Sequence, residues 1–368
     1  MRVPYLNLRQ NYHGIEDALV RSFTRVLQSG RVILGPEVQT FEKQYATFSK
    51  TKYCVGVANG LDALILSLSA LGIGKNDEVI VPSNTYIATL VAVSRVGATP
   101  ILVEPKINTY NIDPKNIAAA ITKKTKVIIP VHLFGQACQM DEIMRIANKH
   151  HLFIVEDNAQ SHGATFNKKM TGSFGDVNAT SFYPGKNLGA IGDAGAITTG
   201  NQRLANIIRS IRNYGESKRY VNEYIGFNSR LDELQAAILR VRLSHLATYT
   251  KQKQRIAKKY TAELAGVGDI ILPITETGST HVYHVYLIRT NKRNALQKYL
   301  ESKSITTLIH YPIPPHLQAA YKELHFKKGS FPIAEELAAT SLSLPIFPDM
   351  TNNQVEYVVK MIKQFFQN

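Results

Sequence analysis

The fold class is decided by residues 53–103, which read YCVGVANGLDALILSLSALGIGKNDEVIVPSNTYIATLVAVSRVGATPILV. Short runs of β-branched residues alternate here with segments whose apolar residues recur every three or four positions. This alternation predicts βαβ units around a largely parallel sheet, and therefore an α/β domain. The predicted strands are Tyr53–Val57, Glu78–Val81 and Thr99–Val103, and the predicted helices are Leu61–Leu71 and Tyr86–Val96.

The same alternation continues towards residue 212 and then changes character. Further strands are predicted at Lys126–Val131, Leu152–Glu156, Asn178–Phe182 and Gly195–Thr199, and further helices at Met140–Lys149 and Gln202–Arg212. Residues 231–264 read as one long helix or two in series. A shorter mixed region follows, with a strand at Val282–Arg289, a helix from Asn294 and closing helices near Ala334 and Gln354. We therefore expect a large domain over 1–250, with an N-terminal helical segment, and a smaller α+β domain over 251–368.

The composition limits the class of protein. The chain has 368 residues, of which 44% are hydrophobic and 19% charged, so it can bury a large core and is neither a disordered tail nor a disulfide-stapled module. Lys plus Arg number 43 and Asp plus Glu 28, and the net charge of +15 favours anionic partners. There are only two cysteines, and the N-terminus lacks the apolar core of a signal peptide. We expect a cytoplasmic protein that does not engage a membrane.

The most informative motif for chemistry is residues 181–195, SFYPGKNLGAIGDAG. Lys186 follows a predicted strand within a turn rich in glycine and proline, and Ser181 and Tyr183 flank it. Neither a dinucleotide-binding nor a P-loop pattern is matched, because Lys186 is followed by Asn187. Taken alone, the motif is better explained as an ordinary strand and turn with a solvated Lys186.

A second motif, residues 154–163, reads IVEDNAQSHG and ends an apolar strand with an acidic pair. Ligands of open α/β sheets bind beyond the carboxyl ends of the strands, so Asp157 and Gln160 are expected in the same crevice as Lys186. In pyridoxal-phosphate enzymes a lysine forms a Schiff base with the cofactor, and a carboxylate keeps the pyridine nitrogen protonated. Asp157 taken alone reads equally well as a helix cap.

Two further strand ends carry weaker signals. Residues 58–64, ANGLDAL, open a helix after a strand and so offer free backbone N–H groups to a phosphate. Tyr86 follows the next strand, where it can stack on a flat ring or simply pack.

These four motifs resemble, in order and spacing, the sugar aminotransferases of the DegT/DnrJ/EryC1/StrS family, a branch of the fold type I pyridoxal-phosphate enzymes. The resemblance extends along essentially the whole chain and includes residues 30–37 (GRVILGPE), 226–233 (GFNSRLDE) and 310–312 (HYP). It implies a fold type I aminotransferase architecture, with a large α/β/α domain around a mixed, mostly parallel sheet and a smaller C-terminal α+β domain.

The resemblance also implies roles for single residues toward pyridoxal 5'-phosphate. Lys186 would be the Schiff-base lysine and the acid–base that moves the substrate proton, and Asp157 would pair with the pyridinium nitrogen. Gln160 would bind the phenolic oxygen and Tyr86 would stack on the ring. The phosphate would be bound by the backbone N–H groups of Gly60 and Leu61 and by the Ser181 hydroxyl. Leu61 stands where the family usually has threonine, so one side-chain contact is missing.

One more motif residue, Asn228, implies a partner subunit. It would reach the phosphate in the neighbouring subunit, so the resemblance implies a homodimer with shared active sites.

Because the family's dehydratases replace the lysine by histidine, the presence of Lys186 favours transamination. L-Glutamate would be the amino donor and a nucleotide-linked keto sugar the acceptor, with Tyr183, Arg219, His310 and Tyr311 as candidate substrate contacts. Residues 160–163, QSHG, resemble members that aminate a dTDP-3-keto-6-deoxyhexose, and a 4-keto nucleotide sugar is the alternative. The product would be a deoxyamino sugar for a surface polysaccharide such as lipopolysaccharide, an S-layer glycan or an antibiotic.

Three other readings are weaker. No metal site is expected, because the spacing of His281 and His284 on the predicted strand would place their rings on opposite faces. A regulatory protein that binds nucleic acid fits the basic charge, but no nucleic-acid-binding motif is present and we expect no such partner. A racemase, lyase or aldolase of the same fold type would need an arginine for a carboxylate, which Arg219 or Arg230 can supply.

Overall fold

The computed structural model describes residues 1–367, in which helices and strands alternate along most of the chain. The helices are α1 (Glu16–Ser29), α2 (Pro36–Ser49), α3 (Gly60–Ala70), α4 (Ala88–Arg95), α5 (Pro114–Ala120), α6 (Met140–His150), α7 (Gln202–Ile211), α8 (Glu233–Leu264), α9 (Arg293–Ser302), α10 (Pro332–Thr340) and α11 (Asn352–Gln367). The strands are β1 (Tyr53–Val57), β2 (Glu78–Pro82), β3 (Thr99–Val103), β4 (Thr125–Ile128), β5 (Phe153–Asp157), β6 (Thr165–Phe166), β7 (Lys169–Met170), β8 (Val177–Ser181), β9 (Gly195–Thr199), β10 (Glu216–Lys218), β11 (Val221–Asn222), β12 (Tyr286–Arg289) and β13 (Ser341–Leu344).

The central sheet confirms the predicted α/β class. Within residues 1–367 it contains seven strands in the order β1-β9-β8-β5-β4-β2-β3. The pairs β2 with β3, β2 with β4, β4 with β5 and β5 with β8 are parallel, whereas β9 runs antiparallel to both β1 and β8. Apolar clusters cover the sheet, which explains why its strands read as nearly continuous hydrophobic runs. The sheet is therefore mixed and mostly parallel, as the sequence indicated.

The predicted strand at Val282–Arg289 is shorter in the structure, where β12 covers only Tyr286–Arg289. His281 and His284 therefore precede the strand, and the prediction that strand alternation separates their rings was wrong. The His281 ring instead stacks on Tyr283 with the ring centroids 4.0 Å apart, and its Nδ1 accepts the backbone N–H of Tyr283. This local turn places His281 against an aromatic ring.

Residues 231–264, predicted as one helix or two, form the single helix α8 from Glu233. Its N-terminal half packs in a cluster with α2, and its C-terminal half packs in another with β12, β13 and α11. Val3 belongs to this second cluster, so the N-terminal segment reaches the C-terminal part of the fold. The division into domains at residue 250 falls inside α8 and stays a prediction.

No helix in the described part of the chain, residues 1–367, is both long and apolar enough to cross a membrane.

Glu156, the neighbour of Asp157 on β5, is fully buried and has several hydrogen-bond donors. It accepts the backbone N–H groups of Gly172 and Gly175, each at 2.9 Å, and lies 2.7 Å from His132 Nε2. The backbone N–H of Cys138 donates to His132 Nδ1, and His132 Nε2–H donates to Glu156. One carboxylate therefore ties the turn after β7 to the end of β4.

We expect Glu156→Gln to lower the free energy of unfolding by about 1–3 kcal/mol, because the amide leaves buried donors unsatisfied. Urea denaturation of the variant and of Glu323→Gln, which alters an exposed carboxylate, measures the effect. Equal midpoints for the two variants would show that the carboxylate does not stabilise this turn.

Candidate active site

The loop that carries Lys186 joins β8 to β9 and is held at both ends by the sheet. The backbone N–H of Phe182 donates to Ala194 at 2.7 Å, and that of Ala190 donates to Phe182 at 2.8 Å. Within the loop, the N–H of Lys186 donates to the carbonyl of Tyr183 at 2.8 Å. The lysine thus projects from a loop whose backbone is fixed by hydrogen bonds.

Lys186 and Asp157 lie close enough for their charges to interact, and burial perturbs both groups. Burial lowers the pKa of Lys186 to about 8, although the negative charge of Asp157 opposes the shift. Burial raises the pKa of Asp157, although the N–H of Ala159 and the charge of Lys186 oppose it. A buried amine with a pKa near neutrality beside a buried carboxylate is typical of catalytic sites.

Asp157 is 7% exposed and is oriented by two hydrogen bonds. Its Oδ1 accepts the N–H of Ala159 at 3.1 Å, and its Oδ2 accepts the hydroxyl of Thr89 at 3.0 Å. Thr89 Oγ1 is in turn 2.9 Å from Thr85 Oγ1. Thr89 was not among the predicted site residues, although a threonine in the otherwise apolar first turn of the predicted helix Tyr86–Val96 could have indicated a polar role.

Gly60 and Ser181 form a narrow cradle at the start of α3. The side chain of Asn59 caps the helix by accepting the N–H of Asp62 at 2.8 Å. Among residues 1–367, no acceptor takes the N–H groups of Gly60 and Leu61, which lie at the positive end of the helix. A Cβ on Gly60 would lie 2.5 Å from the Cβ of Ser181, so only glycine fits.

Leu61 does not take part in this cradle through its side chain. The side chain packs against the main apolar cluster of the sheet. The residue therefore offers a phosphate its backbone N–H alone, as expected from the absence of threonine.

Gln160 connects the end of β5 to residues far along the chain. Its Oε1 accepts the N–H of Phe134 at 2.7 Å, which turns its Nε2 to donate to the hydroxyl of Tyr311 at 3.1 Å. The rings of Tyr311 and Tyr86 are 5.2 Å apart between centroids, and Tyr86 is 52% exposed. An amide donor and an accessible aromatic ring therefore lie at one side of the site.

Two histidines near Lys186 are held neutral. Burial and then the charge of Lys186 lower the pKa of His310 to about 4 and depress that of His162 further, to about 3. His310 Nδ1 lies 2.9 Å from the hydroxyl of Ser343, and His162 Nε2 donates to the carbonyl of Ser181 at 3.1 Å. These neutral rings add hydrogen-bonding groups to the site without adding positive charge.

The side chains of three predicted site residues make no contact with this group within the described residues. Tyr183 is 59% exposed at the start of the lysine loop. Arg219 lies in the exposed hairpin of β10 and β11, where its contacts are with the ring and hydroxyl of Tyr220. Asn228 is exposed and forms an isolated bridge with Asn213. Their roles stay predictions.

The residues present fit pyridoxal phosphate. The cradle of Gly60 and Ser181 leaves helix N–H groups for a phosphate. Asp157 supplies a buried carboxylate for a ring nitrogen, and Lys186 supplies an amine whose lowered pKa favours attack on an aldehyde. Tyr86 offers an open ring face.

We expect Gly60→Ala to weaken pyridoxal-phosphate binding by about 10- to 100-fold, because relieving such a clash costs about 1–3 kcal/mol. Equilibrium titration of the stripped protein with the cofactor measures this affinity. The exposed Gly200, whose added Cβ meets nothing within 4 Å, provides the matched Gly200→Ala control. Unchanged affinity in Gly60→Ala would place the phosphate elsewhere.

Comparison with known proteins agrees with this geometry. The chain is 50% identical over 363 residues to dTDP-3-amino-3,6-dideoxy-alpha-D-galactopyranose transaminase of Aneurinibacillus thermoaerophilus, with 99% of each chain covered. The crystal structure of S. venezuelae DesV in complex with a ketimine intermediate superimposes with a TM-score of 0.98 at 44% identity, covering 100% of this chain and 99% of that one. The structure of NtdA from Bacillus subtilis with bound cofactor PMP superimposes with a TM-score of 0.92 at 32% identity, covering 100% of this chain and 86% of that one.

A family model matches residues 14–363, nearly the whole length. Since the ordered motifs, the mixed sheet and these relatives agree, the chain belongs to the DegT/DnrJ/EryC1/StrS aminotransferase family.

Proposed function

We propose that this protein uses pyridoxal 5'-phosphate to transfer an amino group from L-glutamate to a nucleotide-linked keto sugar. The observation that carries the proposal is the buried pair of Lys186 and Asp157, whose pKa values burial shifts in opposite directions. An amine and a carboxylate poised in this way are the two groups that a cofactor with an aldehyde and a basic ring nitrogen requires. The substrate we favour is a dTDP-3-keto-6-deoxyhexose.

The cofactor, when bound, supplies a ring that accepts the electron pair released as the proton leaves the carbon that bears the nitrogen. In the proposed mechanism Lys186 would hold the cofactor covalently and would move this proton. Asp157 would hold a proton on the ring nitrogen, and Thr89 orients its carboxylate. Phe134 fixes the amide orientation of Gln160, whose NH₂ group would donate to the phenolic oxygen of the cofactor. Gly60 and Leu61 would bind the phosphate through their backbone N–H groups.

Two observations support a nucleotide-linked sugar as acceptor. The net charge of +15 favours a substrate that carries a diphosphate. The Aneurinibacillus relative, half identical over 99% of both chains, is named for a dTDP-linked 3-amino sugar. We propose His310 and Tyr311 for contact with the sugar, because Tyr311 contacts both Tyr86 and Gln160 and the His310 ring packs against Tyr311. Tyr183 and Arg219 remain proposed contacts with the sugar or pyrophosphate.

Exposed apolar side chains support a homodimer with shared active sites. On α1, Val20 is 63% exposed and Leu27 57% exposed. Near Asn228, Ile225 is 100% exposed and Phe227 43% exposed. Apolar patches of this kind mark protein–protein interfaces. In such a dimer, Asn228 would reach the phosphate of the neighbouring subunit. We propose a cytoplasmic enzyme that binds neither nucleic acid nor membranes.

A substrate panel tests the proposal. The loaded enzyme is incubated with L-glutamate and, in separate reactions, 3-keto and 4-keto 6-deoxyhexoses linked to dTDP or UDP, and amino sugar and 2-oxoglutarate are quantified by mass spectrometry. We expect the highest kcat/KM for the dTDP-linked 3-keto sugar. Preferential amination of a 4-keto sugar would correct the position, and racemisation of an amino acid without any amination of a sugar would refute the proposed function.

A further inference from the structure

Asn187, the residue directly after Lys186, has a buried side chain to which the proposed mechanism gives no role. It is 8% exposed. Its Nδ2 donates to the carbonyl of Val282 at 3.0 Å, and its Oδ1 accepts from Lys253 Nζ at 2.9 Å. Because a carbonyl oxygen only accepts and a protonated lysine only donates, these two partners fix the orientation of the amide. The side chain of Asn187 is therefore bound on both sides.

Lys253 reaches this amide from α8 and is itself buried, at 5% exposed. Its Nζ also donates to the carbonyl of His284 at 3.1 Å. Burial lowers the pKa of Lys253 to about 7. A lysine nitrogen keeps at least two hydrogens in either protonation state, so both hydrogen bonds persist whether or not the side chain is charged.

The segment 282–284, which accepts both of these contacts, also leads to the opposite side of the site. The backbone N–H of Val282 donates to the carbonyl of Gly135 at 2.8 Å. Phe134, the neighbour of Gly135, donates its N–H to Gln160 at 2.7 Å. One short stretch of backbone therefore connects the lysine loop with the residue that we propose for the phenolic oxygen of the cofactor.

The side chain of Asn187 is the polar anchor of the chain directly after Lys186. The N–H of Lys186 donates to the carbonyl of Tyr183 at 2.8 Å, which holds the chain before the lysine. In the described part of the chain, neither the backbone N–H nor the carbonyl of Asn187 takes part in a backbone hydrogen bond. The next polar contact is that of Gly189, whose carbonyl accepts from Arg242 on α8 at 2.6 Å. Loss of the Asn187 contacts would thus free the backbone beside the reactive amine.

We propose that Asn187 and Lys253 are positioning residues that fix the direction in which the Lys186 amine projects toward the cofactor. The inference rests on the proposed function, because it assigns a role relative to pyridoxal phosphate. Both residues act through the backbone next to Lys186. In the attachment that they assist, the neutral amine forms a C=N bond with the aldehyde carbon, and the aldehyde oxygen leaves as water.

Two measurements on the stripped full-length protein separate positioning of the amine from general damage to the site. The first is the rate at which pyridoxal phosphate becomes attached to residue 186, followed by borohydride quenching at successive times and peptide mapping. The second is the equilibrium affinity for pyridoxine 5'-phosphate, which has an alcohol in place of the aldehyde and cannot be attached. We expect Lys253→Met and Asn187→Leu each to slow attachment by about 10- to 100-fold, because it depends on orientation, and to leave the affinity for pyridoxine phosphate within about twofold.

The double variant should be no slower than the slower single variant, because the two side chains act through a shared hydrogen bond. Lys251→Met, on the exposed face of the same helix, should behave as the unmodified protein. If one single variant fails to fold, the other decides.

Unchanged attachment rates in the folded variants would overturn the proposal. Equal losses of attachment rate and of affinity for pyridoxine phosphate would also overturn it, as would failure of both single variants to fold, because the contacts would then stabilise the site or the fold without directing the amine. Absence of any label on residue 186 in the unmodified protein is a different result, which would refute the proposed function itself.

Discussion

Replacement of Lys186 by alanine is expected to lower kcat for amino transfer by about 100- to 10,000-fold, the contribution typical of a positioned general acid–base. The structure places this amine on a loop held at both ends by the sheet, and burial lowers its pKa to about 8. A substantial fraction is therefore neutral near pH 8 and can accept a proton. Single-turnover kinetics with L-glutamate measure the loss, since they isolate the proton transfer from product release.

The same variant should also lose covalent attachment of the cofactor. Borohydride reduction followed by peptide mapping should label residue 186 in the unmodified protein and no residue in Lys186→Ala. Lys258→Ala, which alters an exposed lysine on α8, serves as the matched control and should behave as the unmodified protein. Full turnover in Lys186→Ala would refute both the mechanism and the enzymatic role proposed for this loop.

Asp157→Asn is expected to lower kcat by about 100- to 1,000-fold, as does removal of one preorganised electrostatic contact in other enzymes. Asparagine has nearly the same shape and its Oδ1 can still accept from Ala159, while its NH₂ group would donate to the hydroxyl of Thr89, but it carries no negative charge. The variant should fold and bind the cofactor, while the ring nitrogen loses its charged partner. The comparison of kcat with cofactor affinity separates these two effects.

Thr89→Val is the informative companion to Asp157→Asn. It removes one neutral donor to the carboxylate and keeps the charge, so we expect a loss of kcat much smaller than that of Asp157→Asn. If the two variants lost the same activity, orientation of the carboxylate and not its charge would be the decisive property. Activity of Asp157→Asn at the level of the unmodified protein would remove Asp157 from the mechanism.

The periodicity of the sequence predicted the central sheet well because strands that are covered on both faces must be apolar on both faces. The predicted boundaries of β1, β3 and β9 agree with the structure to the residue. Prediction was poorer at Val282–Arg289, where alternating residues suggested a strand. The first residues of this segment are held by side-chain contacts instead, since the His281 ring stacks on Tyr283 and its Nδ1 accepts the backbone N–H of Tyr283. Such local contacts leave no periodic signal.

The site could be predicted where its residues follow strands directly. Asp157 ends β5 and Ser181 ends β8, and those strands are paired, so their proximity follows from topology alone. The bond of Gln160 to Tyr311 spans 151 residues, and no local rule predicts it. The burial of Arg242 and Lys253 could not be predicted either, because both lie on a helix rich in lysine and arginine, residue types that are mostly exposed.

The antiparallel position of β9 has a consequence for synthesis of the protein. Within the described residues, β1 pairs with β9 alone, and β9 also closes the loop of Lys186. At about 5–20 residues per second, a ribosome needs roughly 7–30 s to extend the chain from β1 to β9. During that interval the backbone N–H and C=O groups of β1 have no strand partner, so chaperones can bind to this exposed strand. Arrival of one strand then completes the sheet and anchors the lysine loop in a single event.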